Sequence, residues 1–299
     1  MVAIRQNSSR KELKMNIKKI AGVVVIYNPN ESVLHNIDSY KKYVDHLFVV
    51  DNSEKKNEAV ISSILHDEKC EYIDNDGNAG VASALNVGAR KAISSGADWL
   101  LTMDQDSSFN GCSFNYLLDG LNVLEETGAK VGVVSPAHKE IYESGYADKT
   151  VVMTSGNLVN LRAYEHIGGF EEKLFIDAVD YDFCLRLIIQ GYKVLQVNQA
   201  VLTHALGDPK IIKLLGRLVT VHSHSPLRRY YMTRNALYYW SRYFFKFPTF
   251  ILLEMAKFSK NFVEILFVSN QKLKDLSFML KGVSDFFRGR YGKFERADG

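Results

Sequence analysis

Trp99-Leu100-Leu101-Thr102-Met103-Asp104-Gln105-Asp106 passes from an apolar run straight into two acids spaced i, i+2. A short apolar run bounded this sharply reads as a buried strand, and its polar end places Asp104 and Asp106 at the strand's exposed tip. Upstream, Ile20–Ile26 and residues 47–50 repeat the pattern, ending in Tyr27-Asn28-Pro29 and Asp51-Asn52-Ser53; downstream, residues 131–134 repeat it again. Helix-like stretches at 32–43, 58–65, 79–94 and 114–126 fall between these runs. The alternation predicts an α/β fold with a mainly parallel central sheet flanked by helices, in which ligands bind at the carboxyl ends of the strands.

The 299 residues, 46% hydrophobic and 24% charged, suffice for a large core in one elaborate domain or a domain with an appendage, as in a folded enzyme. Cys70, Cys112 and Cys184 stand far apart with no C-x-x-C spacing, which argues against a zinc cage or a disulfide framework, predicts buried thiols and fits a reducing cytoplasm. Residues 1–17 read as a basic, flexible leader, 18–224 as the catalytic domain, and 225–299 as a basic, aromatic-rich helical region closing the site. That last region holds 14 Lys or Arg against 6 Asp or Glu, so it carries +8 and leaves −5 on the rest of a chain of net +3. Such a balance suits a membrane surface, nucleic acid or a pyrophosphate ligand, and composition does not choose among them. Residues 247–268 form the longest apolar stretch, but Glu254, Lys257, Lys260 and Glu264 interrupt it, which excludes a spanning helix and leaves a helical cap or an interfacial helix.

Burying an acid pair such as Asp104 and Asp106 is costly without a cation, and hard oxygen ligands at this spacing suit Mg²⁺ or Mn²⁺ held jointly with substrate phosphates. A solvated or helix-capping turn is the plainer reading of an isolated D-x-D. Asp51 is placed to accept a hydrogen bond from a base or ribose, or simply closes a turn. The small-residue segment from Asn78 to Arg90 forms a helix that lies close to the sheet or a ligand, with Asn78 as its cap and Arg90 towards phosphate. A second acidic cluster, Asp177, Asp180 and Asp182, opens a helix; acids in a first turn complement the helix dipole, while three within six residues after an aromatic loop supply a general base.

Tyr27-Asn28-Pro29, Asp51-Asn52-Ser53, the 78–88 stretch, Asp104-Gln105-Asp106, Thr154-Ser155-Gly156-Asn157, Gly168-Gly169-Phe170 and the 175–186 segment occur in the order found in family 2 inverting glycosyltransferases. Over about residues 18–240 the chain resembles that family, and Met103-Asp104-Gln105-Asp106-Ser107, Phe175-Ile176-Asp177 and Val179-Asp180 look like its bacterial rhamnosyltransferase branch. The resemblance implies a GT-A fold and transfer of L-rhamnose from dTDP-L-rhamnose to a saccharide acceptor, lipid-linked at the inner face of the cytoplasmic membrane, with no nucleic-acid partner. UDP-galactofuranose or a UDP-hexose is the alternative donor. It implies Asp180 as general base with Asp177 or Asp182 as fallback, although the family's usual Glu-Asp pair is Val179-Asp180 here. Asp104, Asp106 and His204 would hold Mg²⁺ or Mn²⁺. The donor would meet Tyr27, Asn28, Asp51, Asn78, Asn86, Arg90, Asp104 and Gln105, with Arg228, Arg229 and Arg234 closing over its phosphates. On the acceptor side the resemblance places Ser155, Gly156, Asn157, Asp177 and Arg186.

Three other functions fit parts of the chain. An apolar strand ending in Asp104-Gln105-Asp106-Ser107-Ser108 also looks like the nucleophile motif of haloacid-dehalogenase-type phosphatases, but that fold opens with this strand and here at least three strand-like runs precede it. A non-catalytic sugar-nucleotide binding protein has no need of so many matched acids. Dinucleotide-dependent redox chemistry lacks its G-x-G-x-x-G turn at Gly77-Asn78-Ala79-Gly80.

Overall fold

The structure is a computed structural model describing residues 18–141, 143–204, 210–214, 217–221 and 224–295, so the expected leader lies outside the described residues. The chain runs β1 (Ile20–Ile26), α1 (Ser32–Tyr40), β2 (His46–Asp51), α2 (Glu58–Leu65), β3 (Cys70–Asp74), α3 (Val81–Ser94) and β4 (Trp99–Asp104). It continues through β5 (Ser107–Phe109), α4 (Ser113–Glu126), β6 (Val131–Ala137), β7 (Tyr146–Asp148), β8 (Asn157–Asn160), α5 (Leu161–Ile167), α6 (Val179–Ile189) and β9 (Lys193–His204). A hairpin of β10 (Lys210–Leu214) and β11 (Arg217–Val221) precedes helices α7 (Pro226–Tyr243), α8 (Pro248–Val268) and α9 (Lys272–Phe287).

The main sheet has the order β3-β2-β1-β4-β8-β6-β9-β5, and β7 also pairs with β9, across from β6. Its first half is parallel, as the alternating pattern predicts. Side chains of β1 divide strictly by period 2: Ala21, Val23 and Val25 enter the core under α3 and α6, while Ile20, Val24 and Ile26 enter the core under α1 and α4. Both faces are therefore covered. The second half is mixed: β8 runs antiparallel to β4 and β6, and β5 and β7 run antiparallel to β9. Short connections rather than helical crossovers lead into β7 and β8, so nothing obliges those strands to run parallel.

Helix α3 begins two residues later than its small-residue run, because Gly80 at its N-cap has φ +92. A Cβ there would stand 2.6 Å from the Phe175 carbonyl oxygen. Farther along, a Cβ on Gly88 would stand 2.2 Å from Val23 Cγ2, which is how closely α3 lies on β1. The C-terminal helices pack on the catalytic core as well as on one another: Tyr230, Tyr231, Phe278 and Phe294 cluster around Phe175. Ala236, Tyr238, Tyr239, Tyr243 and Ile251 join the same cluster as β1 and α3, so the composition break at 224/225 is not a break in packing. Of the thiols, only Cys184 is buried; Cys70 is half-buried and Cys112 exposed, correcting the expectation of three buried cysteines.

Candidate active site

Parallel register between β1 and β4 sets Val25 beside Asp104, at the carboxyl edge of the sheet. The chain then turns into β5, whose antiparallel register with β9 sets Ser107 opposite His204. Two residues 97 positions apart thus meet, with the Ser107 hydroxyl 2.7 Å from His204 Nδ1, and the same nitrogen lies 3.3 Å from Asp106 Oδ1. One ligand atom from each of Asp104, Asp106 and His204 falls within 4.8 Å of the others. Burial, then the neighbouring Asp106 carboxylate, pushes the Asp104 carboxyl up to about 6, with His204 and Arg228 acting against the rise. Two mutually repelling carboxylates beside an imidazole form a hard donor set that fits a divalent cation.

The edge expected to face a nucleotide is built from strand ends tied to one another. Gln105 Oε1 accepts from the Tyr27 amide at 2.8 Å, and Gln105 Nε2 donates to the Tyr27 carbonyl at 3.2 Å. The Asn28 amide donates to Ser53 Oγ at 2.6 Å, and Asn28 itself sits at φ +46. Tyr27 is left 43% exposed at this edge. Asp51 is fully buried: it accepts from the Tyr72 hydroxyl at 2.8 Å and the Ser53 amide at 2.8 Å, with Lys56 Nζ 3.5 Å away. A ligand arriving here meets Tyr72 and Lys56 before Asp51. Asn78 accepts from the Gly80 amide at 3.0 Å, capping the turn ahead of α3 rather than the helix itself.

The second acidic cluster separates into three environments. Asp180, in the first turn of α6, has its carboxyl pushed up to about 7 by burial; the Tyr181 amide works against this and Asp177 and Asp104 add to it. Asp177, at φ +63, accepts from Arg228 Nη2 at 3.1 Å through Oδ1, while its Oδ2 is buried with no hydrogen-bond partner. Burial raises this carboxyl too, against the pull of Arg228. Asp182 is fully buried and saturated, accepting from Arg186 at 2.7 Å and from the Tyr243 hydroxyl at 2.5 Å. It ties α6 to α7, and this corrects its reading as a fallback base.

Several other expected contacts lie off the cleft. Asn86 is buried against Phe170 and the Tyr164 hydroxyl, which accounts for its hydrogen-bonding groups without a donor. Arg90 is exposed and 3.8 Å from Glu172. Arg186 serves Asp182 and the Ile167 carbonyl. Arg234 is 1% exposed and donates to Tyr230 and to the carbonyls of Gly292, Lys173 and Leu174; Arg229 faces Asp275 at 3.4 Å. Of the three arginines expected over phosphates, Arg228 is the one that reaches the acids. Ser155 and Asn157 are buried beside β4 instead of lining an acceptor site: Ser155 Oγ accepts from the Asp104 amide at 3.0 Å, and Asn157 donates to the Met153 carbonyl at 2.7 Å. Gly156, at φ +85, fits where a Cβ would strike Pro136 and Leu202.

Sequence reasoning missed four contributors. Ser107 and Tyr72 are ordinary by composition and matter only through strand register. His138 follows β6, has both ring nitrogens buried without a partner, and has its pKa lowered by burial and by His204. Glu254 of α8, 7% exposed, accepts from the Tyr181 hydroxyl at 2.9 Å and from Lys257 at 2.6 Å.

Comparison with known proteins agrees with this architecture. The model of glycosyl transferase family 2 matches residues 23–166. The dTDP-rhamnosyl transferase RfbF of Shigella flexneri is 31% identical over 240 residues, 73% of this chain and 78% of that one. Among solved structures, S. aureus TarS with UDP-GlcNAc superposes with a TM-score of 0.58 at 15% identity, covering 91% of this chain and 81% of that chain. GalNAc-T7 with UDP, GalNAc and Mn²⁺ gives 0.55 at 14%, covering 92% and 56%. These two share the fold. By its extended likeness to RfbF and its match to the family model, the chain belongs to glycosyl transferase family 2 and is a glycosyltransferase.

Proposed function

We propose that the enzyme moves L-rhamnose from dTDP-L-rhamnose to a hydroxyl of a saccharide acceptor with inversion at the anomeric carbon. The observation that carries this reading is the placement of Asp180, a carboxyl poised near neutrality, within electrostatic reach of Asp104 in the Asp104–Asp106–His204 cluster. The choice of rhamnose and dTDP rests on the likeness to RfbF.

In the proposed step the acceptor oxygen forms a bond to the anomeric carbon as its proton passes to Asp180. The bond from that carbon to the diphosphate oxygen breaks, and its electron pair leaves with the nucleoside diphosphate. A single displacement from the face opposite the leaving group inverts the centre. Asp180 contributes roughly 10²–10⁴ in rate as general base. Mg²⁺ or Mn²⁺ held by Asp104, Asp106 and His204 would neutralise charge on the diphosphate. Arg228, held beside Asp177, adds a second positive charge at the acid cluster, and Tyr27 offers a face for the base.

A lipid-linked acceptor at the inner membrane surface accords with the C-terminal helices. Leu252, Leu253 and Phe262 of α8 and Leu273 and Leu280 of α9 are exposed, and the region carries +8. Among the described residues no helix is long and apolar enough to cross a membrane, so the contact would be peripheral.

Calorimetric titration with dTDP-rhamnose, UDP-galactofuranose, UDP-glucose and UDP-N-acetylglucosamine, each with and without Mg²⁺ or Mn²⁺, tests the reading. Metal-dependent binding of dTDP-rhamnose that is lost in Asp106→Ala is the expected result. Preference for a UDP sugar would keep the class and replace the donor, and no binding of any nucleotide sugar would overturn both.

A further inference from the structure

Two cavities that share part of their lining form a groove beside Asp180, and Asp104, Asp106 and His204 line neither. One cavity of about 310 Å³ is lined by Asp180, Tyr181, Phe250 and Glu254, with Val152 and Met153 as its apolar floor. A second, of about 240 Å³, continues past Asp177 and Phe258, and Tyr181, Glu254 and Lys257 are common to both. Its polar groups converge from two helices: Tyr181 of α6 donates to Glu254 of α8, whose other oxygen accepts from Lys257. Asp177 Oδ2 is buried here with no partner. Beside them the Tyr181 ring lies 4.9 Å from Tyr239 and 6.1 Å from Phe250, an aromatic wall. Apolar and aromatic walls with a few convergent polar groups mark a ligand site.

We propose that this groove is the acceptor subsite, that Glu254 and Tyr181 hold the acceptor ring against Asp180, and that the ring it selects is a neutral pyranoside. This rests on the reading of Asp180 as base. Hydroxyls of a pyranose donate to Glu254, while the ring's C–H face lies on the aromatic wall. Three carboxyl groups, Asp177, Asp180 and Glu254, line the groove with the single ammonium of Lys257, so acid outweighs base there and a uronate is disfavoured against a neutral ring. The Tyr181 phenol is pushed well above its ordinary range by burial and then by Glu254, which keeps it a hydrogen-bond donor. Asp180 lines the same cavity as Glu254, so an acceptor held by one is presented to the other.

Saturation-transfer NMR on the full chain with dTDP and Mg²⁺ tests this, using the methyl pyranosides of rhamnose, glucose, galactose, N-acetylglucosamine and glucuronic acid. The expected result is saturation on dTDP and on at least one neutral pyranoside, with a weaker effect on the glucuronide. In Glu254→Gln and Tyr181→Phe the affinity for the neutral pyranoside falls about tenfold or more, as for loss of a hydrogen bond to a charged group, while dTDP affinity stays at the parent level. Lys257→Ala, whose ammonium is solvent-exposed, stands in if Glu254→Gln fails to fold, with a smaller fall of the same kind. Saturation of dTDP without any neutral pyranoside, equal binding of the glucuronide, or variants that weaken dTDP alone would overturn the subsite and leave the donor reading standing. Absence of a dTDP signal would overturn both.

Discussion

At the scale of single residues, environment separates acids that look alike in sequence. Asp180 and Asp182 are two positions apart, yet one is a carboxyl raised by burial and the other a saturated brace. Because burial raises the Asp180 carboxyl to about 7, its basic form accumulates only above that pH. Turnover at saturating donor should therefore rise with pH through about 7 and level off above it, and Asp180→Asn should lower kcat roughly 10²–10⁴-fold with donor affinity retained; a flat profile or near-normal turnover would remove Asp180 from the chemistry. The same shift has a stability consequence of definite sign. A folded pKa above the unfolded one gives stability that is full below the ordinary carboxylate range and lost as pH rises through about 7. Asp180→Asn, neutral at every pH, should then melt higher than the parent at pH above about 8, with the gain vanishing on acidification. For Asp182 the expectation reverses: Arg186→Leu leaves a buried carboxylate with its cation removed and should cost about 3–5 kcal/mol in chemical denaturation. None of this separation was visible in the sequence, where both acids sit in one helical first turn and both read as candidates.

Elements explain why part of the site was legible. Strand ends announce themselves because an apolar run stops abruptly, so the positions of Tyr27, Asp51 and Asp104 along the carboxyl edge followed from hydrophobic pattern alone. The pairing of β5 with β9 did not, since it joins residues 97 apart and local sequence carries no register; His204 entered only through family likeness. Asn86 and Arg234 show the converse error, residue types suited to ligands that tertiary packing turns inward. Glu254 was legible only as a charge interrupting an apolar helix, and its partner on α6 gave it meaning. Close contacts between elements make a sharp test. A Cβ at Gly282 of α9 would stand 2.6 Å from the Tyr230 carbonyl oxygen of α7, and backbone does not yield. Gly282→Ala should lower stability by about 1–3 kcal/mol through overpacking, read as a shifted denaturation midpoint with an unchanged slope; Gly289→Ala, which meets nothing within 4 Å, is the control for an added methyl, at φ +66 with a cost of backbone strain only.

For the whole molecule, the sheet supplies the edge that carries Asp51 and Asp104, and α8 lines the cavities beside Asp180. Replacing exposed Leu252, Leu253 and Phe262 with serine should leave the fold intact and reduce retention on anionic vesicles, an effect that moderate salt enhances if the basic charge also contributes; unchanged retention would assign those side chains no membrane role. The loop leading to Asp180 carries positive φ at Phe175, Asp177 and Ala178, three non-glycine residues in an unfavourable region. What holds it is Asn235 of α7, whose side-chain amide donates to the carbonyls of Leu174, Ile176 and Asp177 at 2.8, 2.7 and 3.0 Å. In the vocabulary of recombination, that amide is a lock shared by two parts that composition would separate. A chimera joined near residue 224, taking its sheet from one relative and its helices from another, inherits a loop and a clasp that never met, whereas one that exchanges residues 171–178 together with α7 carries the pair across intact.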